Sequence, residues 1–484
     1  MSNVHLWSFS LTATALAACA VEPPEQGELE QAVQPSPVID ARRSLAITEA
    51  PILARFPLER VLAQLASGPG VTGPDPSSLW RQLWDIFNPG PGLGLGPHCD
   101  DAVGDGGIGS INGYPFTCRP APAEGGQATC DPFVAGSPCA YIPVGLFMRF
   151  DLAREDGGHC GEYRIVYAKA TGRTDGADRA LVIFEAAMRN PHLNQGVRGC
   201  QKLVRAWAEL SEEPSVAERA DLLEEIYFDG WREFDPVVLW SNFGDNPHDA
   251  GQVRTNQFVQ PTTISPRIWS LRELKLRRVC APACTLRWVP VTDKVNPFGP
   301  LFAADGALVG GNPAAFQAEL VDRVPGLAGP SIAGISLQVS DVFNSGQSQA
   351  SASTPESNYV AQFGAGPPGF RAALQARLTG LASPLTPDHV VARAQAMSCA
   401  GCHRFSNNAD LGGGLVWPPS LGFTHVSERD VDLEVVDGVT RFKLSTALVD
   451  SLLPARSALV TDYLNEVPRP ARPPDTPLGG RWVH

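Results

Sequence analysis

Two cysteines with two residues between them and a histidine directly after, Cys399-Ala400-Gly401-Cys402-His403, form the stretch whose types and spacing name a chemistry. Thiols so spaced can add to the two vinyl groups of one porphyrin while the adjacent imidazole turns under the iron as proximal ligand, which is the attachment pattern of a c-type haem. Small residues at Ala400 and Gly401 let the chain wrap tightly between the thiols. Two other chemistries share these residues. Cys399 and Cys402 can close a disulfide, or join His403 in a zinc site, although zinc wants a fourth ligand and no second cysteine pair lies nearby.

An iron held this way has a second face. The chain has four methionines and none follows Met397, so the downstream methionine that serves ordinary electron-transfer haems is missing. His425 is the only histidine between His403 and His484, which makes it the candidate distal ligand, and bis-histidine ligation gives a low potential. The competing readings are a surface or core-satisfied His425, and an iron left five-coordinate or water-bound, able to bind a small ligand or reduce peroxide.

Two further clusters carry acids and histidines. Asp151 with Asp156, His159, Glu162 and Arg164 gathers around one turn, and Asp245, His248 and Asp249 with Arg254 and Asn256 around another. Each can build a metal or acid/base site; each is also what tight turns and a cross-face ion pair use. There is no Gly-x-Ser-x-Gly elbow with a plausible histidine, and no phosphate-binding glycine loop followed by Lys-Ser/Thr.

Compartment follows from the N-terminus and the cysteine count. Leu6 to Ala18 is a short apolar run, too short to span a bilayer and fit to be an export signal over residues 1–18. It carries no Lys or Arg before Ser10, a departure from the usual positive start. Eleven cysteines minus Cys19, Cys399 and Cys402 leave an even remainder, read as up to four disulfides in an oxidising compartment. A formal net charge of −13 argues against nucleic acid as a partner.

The elements that must position the motif read as follows. Residues 19–47 are a disordered tether rich in Pro, Glu and Gln. Residues 48–325 form an α+β domain: helices near Phe56–Leu65 and Ser77–Phe87, a loop-rich stretch with four cysteines, and strands near 141–151, 161–168, 181–188, 253–259, 267–277 and 285–291. Its sheet is mixed or antiparallel, with a hairpin around Cys280 and Cys284 and two helices between Gln201 and Gly230. Residues 326–385 read as a loop-rich linker with one helix. A helix opening at Pro387 and Asp388 runs into Cys399, a hairpin lies within 433–444, a helix closes the segment at 454–464, and 471–484 are a tail.

Leu16-Ala17-Ala18-Cys19 resembles the lipobox of bacterial lipoproteins. The resemblance implies a lipidated Cys19 and, with Ala20 following, an outer-membrane anchor. Helix, attachment motif, loop and closing helix over 386–470 resemble the cytochrome c fold, and the whole chain is similar to large secreted lipoproteins of myxobacterial type, a likeness that brings no activity with it. The fold class expected is therefore α+β: a disulfide-containing mixed or antiparallel sheet domain followed by a small all-α cytochrome c-like domain. The function expected is an extracytoplasmic cytochrome lipoprotein with one covalent haem, exchanging electrons with a redox protein or a small-molecule donor or acceptor. A haem peroxidase-like oxidoreductase with an open distal side and a surface-binding lipoprotein without haem are the alternatives.

Overall fold

Along the strand His159–Lys169, Tyr163, Ile165 and Tyr167 alternate with Glu162, Arg164 and Val166, so its two faces meet different surroundings. The same alternation recurs in its neighbours and fixes the architecture. A computed structural model describes residues 38–72, 74–84, 103–104, 108–116, 127, 130–259, 268–306, 308, 311–350, 355–364, 366–469 and 472–480. Eight strands form one antiparallel sheet: β1 (Ala46–Ile47), β2 (Tyr141–Arg149), β3 (His159–Lys169), β4 (Ala180–Arg189), β5 (Gln252–Val259), β6 (Ile268–Cys280), β7 (Cys284–Val291) and β8 (Ser348–Ala350). The order is β1 to β7 in sequence, with β8 paired to β6. In register, Phe147 of β2 faces Arg164, Arg164 faces Glu185, and Glu185 faces Gln252; one step along, Ile183 faces Arg254 and Arg254 faces Glu273.

One face of this sheet is the apolar core. Tyr163, Ile165, Tyr167, Val182, Phe184 and Leu276 point into it, all nearly inaccessible to solvent. They are covered by α1 (Leu58–Ala66), which buries Leu58, Val61, Leu62 and Leu65 at helical spacing, and by α2 (Gln201–Glu209) and α3 (Val216–Glu224). The ring of Trp207 on α2 lies 5.4 Å from that of Tyr163, and Ser215 caps α3 by accepting from the Glu218 amide at 3.2 Å. Disulfides join Cys130 to Cys139, Cys160 to Cys200, and Cys280 to Cys284, the last closing the β6–β7 hairpin. Residues 1–18, Cys19, Cys99 and Cys118 lie outside the described residues.

The other face carries Arg149, Glu162, Arg164, Glu185, Arg254 and Glu273 among apolar side chains, and the C-terminal segment lies over it. This corrects the expected fold class. The helices predicted on either side of the motif do form, α4 (Pro387–Met397) and α5 (Leu453–Leu464), but no small all-α cytochrome c-like domain is built from them. Instead α4 packs among the helices Pro313–Leu327, Tyr359–Gly364 and Pro368–Gly380, and the chain after it runs across the large sheet. The physical reason is where its charges find partners. Glu428 is buried against Arg179, at the start of β4, and Arg441 of the Glu434–Val436/Val439–Arg441 hairpin is buried against Glu49. A buried charge without a partner is costly, and these partners exist only on the sheet layer.

Candidate functional site

The attachment motif is shaped by the end of α4. Thr386 and His389 form a reciprocal cap at its start, and the helix stops at Ser398, whose hydroxyl donates to the Gln395 carbonyl (2.8 Å) and accepts from the Gly401 amide (3.1 Å). The chain then winds into a wide turn over Gly401–Phe405. Gly401 is required there by contact: a Cβ on it would stand 1.6 Å from the Gln395 carbonyl oxygen.

Cys399 and Cys402 are free thiols, both fully buried, whereas every other cysteine among the described residues is disulfide-bonded. Cys399 packs with Trp269, Leu271, Ala350 and Ala400, and burial pushes its thiol pKa well up. Cys402 and His403 line a cavity between the sheet and the C-terminal segment. His403 stacks on Trp269, centroids 5.0 Å apart and planes 24° from parallel, and its Nδ1 lies 2.8 Å from the Phe423 carbonyl oxygen. A carbonyl only accepts, so Nδ1 carries the proton and Nε2 keeps the lone pair, the tautomer a metal ligand needs. Burial also lowers the His403 pKa to about 4, which keeps the ring neutral.

His425 is brought to the same place. Its Nδ1 lies 2.8 Å from Ser445 Oγ and its Nε2 3.1 Å from Cys402 Sγ; its ring centroid is 4.7 Å from that of His403, and burial holds its pKa well below the usual value. The loop carrying it is fixed by Arg179, which donates to Glu428 through two 2.7 Å bonds, to the Leu421 and Gly422 carbonyls, and to Thr424 Oγ1.

The cavity is a slot. It holds about 750 Å³ of empty space counting its open mouth, yet only about 90 Å³ admits the centre of a water-sized sphere. Such a disparity describes a space thin in one direction. Its apolar walls are Phe147, Val166, Leu181, Ile183 and Leu271 from the sheet and Val426, Leu448 and Leu452 from the C-terminal segment. Four arginines also reach it. Arg149 is bidentate to Asp151 (2.8 and 2.7 Å), Arg456 lies 3.6 Å from the same carboxylate, Arg164 pairs with Glu162 (2.6 Å) and Glu185 (3.1 Å), and Arg254 with Glu185 (3.2 Å) and Glu273 (3.0 Å). Burial raises the Asp151 pKa, but Arg149 and Arg456 outweigh it and hold the carboxyl at about 2.

Of the two acid–histidine clusters, the structure brings only parts together. Glu162 and Arg164 from the first and Arg254 and Asn256 from the second meet on the sheet face, joined through Glu185 and Gln252, whose side chains hydrogen-bond each other. His159 and His248 lie apart from the slot with ring centroids 6.5 Å apart; burial lowers the His159 pKa to about 4. Asp156 pairs with Arg154, and Asp249 with Lys275 and Arg277. Asp245 accepts from the Arg278 amide at 3.3 Å. Sequence reasoning missed Glu185, Glu273, Arg149, Trp269 and Arg456. The available signal was Glu185, an acid inside the otherwise apolar β4. Among the described residues, no group of three or more His, Cys, Asp or Glu side chains is arranged to hold a bare metal ion.

Comparison with protein-family models, with curated proteins and with solved structures finds no match. What the chain does is therefore argued from its own residues.

Proposed function

We propose that the protein is an extracytoplasmic lipoprotein that carries one covalently attached c-type haem in the slot between its sheet and its C-terminal segment, and that it transfers electrons. The observation that carries this reading is the pairing of Cys402 and His403 on one wall of a thin, mostly apolar slot, with His403 held in the ligand tautomer by the Phe423 carbonyl. Two unpaired thiols three positions apart, in a chain whose other described cysteines are oxidised, support it. The residues present fit the group: Cys402 and Cys399 would form the thioethers, His403 the proximal bond, and the apolar side chains would exclude water. A haem so bound supplies one-electron redox chemistry at its iron. Electrons would come from or go to a redox protein or a small molecule, with Cys19 as the lipid anchor to the outer membrane.

His425 decides between two versions. Metal–imidazole bonds of about 2 Å put the ring centroids of two imidazoles on opposite sides of one metal roughly 6 Å apart. At 4.7 Å, and with Nε2 against Cys402 Sγ, His425 reaches the distal position only by swinging away from that thiol. This favours a second reading, an open distal side that binds small ligands and supports peroxidase-like chemistry. Cyanide titration separates the two: a low-spin spectrum indifferent to cyanide assigns His425 as ligand, and ready cyanide uptake assigns the open side. Intact-mass measurement tests the reading itself, since a mass gain of one haem on the peptide spanning Cys399–His403 is required.

A further inference from the structure

The arginines of the slot are placed unlike its other polar groups. Arg149, Arg164, Arg254 and Arg456 line it, yet of their carboxylate partners only Glu185 does; Asp151, Glu162 and Glu273 stand behind them, outside the lining. The guanidinium groups are thus interposed between buried acids and the cavity, and they present positive charge to whatever occupies it. Guanidinium does not deprotonate in proteins, and its fork matches a carboxylate. An apolar ligand alone gives no reason to turn these groups inward.

Their position along the slot matters as much as their charge. Cys402 and His403 sit at the β5–β6 end, where Trp269 of β6 stacks on His403. Arg149 is on β2 and Arg164 on β3, and Arg456 of α5 closes over Asp151 beside them. β2 is three strand spacings from β5, about 14 Å at roughly 4.8 Å each. The attachment chemistry and the cationic end therefore lie at opposite ends of the slot. A haem is built the same way, with the vinyl groups that take the thioethers on one edge and two propionate carboxylates on the opposite edge.

We propose that Arg149, Arg164 and Arg456 form the binding site for the two propionates, so that the group enters with its acidic edge toward β2 and α5. This rests on the haem reading above. Arg456 is the informative member, because Asp151 keeps its bidentate partner Arg149 when Arg456 is replaced, whereas loss of Arg149 or Arg164 strips a buried carboxylate of its principal partner.

The test is a redox titration against pH of the full-length haem-loaded protein and of its Arg456→Met, Arg456→Lys and Arg404→Gln variants. Arg404 is solvent-exposed next to His403 and does not line the slot, so it controls for the loss of any nearby positive charge. Loss of the buried cation disfavours a propionate carboxylate and the reduced iron alike. Arg456→Met is expected to lower the reduction potential and to bring a new pH dependence into the range near neutrality, with Arg456→Lys restoring most of both and Arg404→Gln moving them several-fold less. A haem-loaded Arg456→Met protein with wild-type potential and pH profile, or one shifted no more than Arg404→Gln, overturns the assignment. Wild-type protein without haem removes the haem reading itself. If Arg456→Met fails to fold, the comparison of Arg456→Lys with wild type carries the test through the propionate bending bands of the resonance Raman spectrum: a shift supports the contact, and identical bands refute it.

Discussion

Arg179 and Glu428, 249 positions apart in the chain, are joined by two parallel 2.7 Å hydrogen bonds, with side chains 4% and 0% exposed. This one bidentate pair pins the 421–428 loop to the edge of β4, and so places Phe423, which orients His403, and His425. Replacing Arg179 by Met leaves Glu428 buried without its principal partner, an effect of about 3–5 kcal/mol where it has been measured in other proteins. Urea unfolding of Arg179→Met should show a loss of that order.

Gly401 sits where no side chain fits. A methyl group would meet the Gln395 carbonyl at 1.6 Å, and that carbonyl also accepts from Ser398. Gly401→Ala forces the turn away from the end of α4 and should cost about 1–3 kcal/mol. It should also lower the yield of covalently loaded protein more than it lowers the yield of total protein, as gel haem staining against total stain would read.

Acid should weaken the fold through His159. Burial, only partly offset by Glu162, lowers its folded pKa to about 4 from an ordinary value near 6.5. Between those values the unfolded chain binds a proton that the folded chain refuses, so stability falls as pH drops from about 6.5 to about 4 and the contribution is complete above 6.5. The urea midpoint followed across that interval should decline less steeply, by the equivalent of one proton, in His159→Gln than in wild type.

The two thiols are not equivalent. Cys402 opens on the slot while Cys399 packs behind it with Trp269 and Leu271. Cys402→Ala should abolish haem that survives acid–acetone extraction. Cys399→Ala should retain part of it through the single remaining thioether. Far-UV circular dichroism should be unchanged in both, because neither side chain belongs to the sheet's apolar core.

The sequence disclosed what depends on near neighbours. Alternation in β2, β3 and β4, the helical spacing of Leu58, Val61, Leu62 and Leu65, and the run from Pro387 into Cys399 all mark elements that form. The assembly was not legible, because it is decided by pairs far apart in the chain. Arg441 finds Glu49 across 392 positions, and Arg179 finds Glu428 across 249. Local helices on either side of Cys399-x-x-Cys402-His403 suggested a self-contained helical domain; buried charges with partners only on the sheet drew that segment across the sheet instead. The slot shared this fate. Cys402, His403 and His425 were visible as residues, but Arg149 and Arg456 became part of the site only once β2 and α5 lay side by side.

The most direct measurement is a pyridine haemochrome spectrum of protein exported from a host with c-type maturation, taken after acid–acetone extraction. One haem per chain, with the α-band of a thioether-linked porphyrin, is the result this account predicts. Protein that is exported and folded in the same host, with intact disulfides and no retained haem, would contradict it.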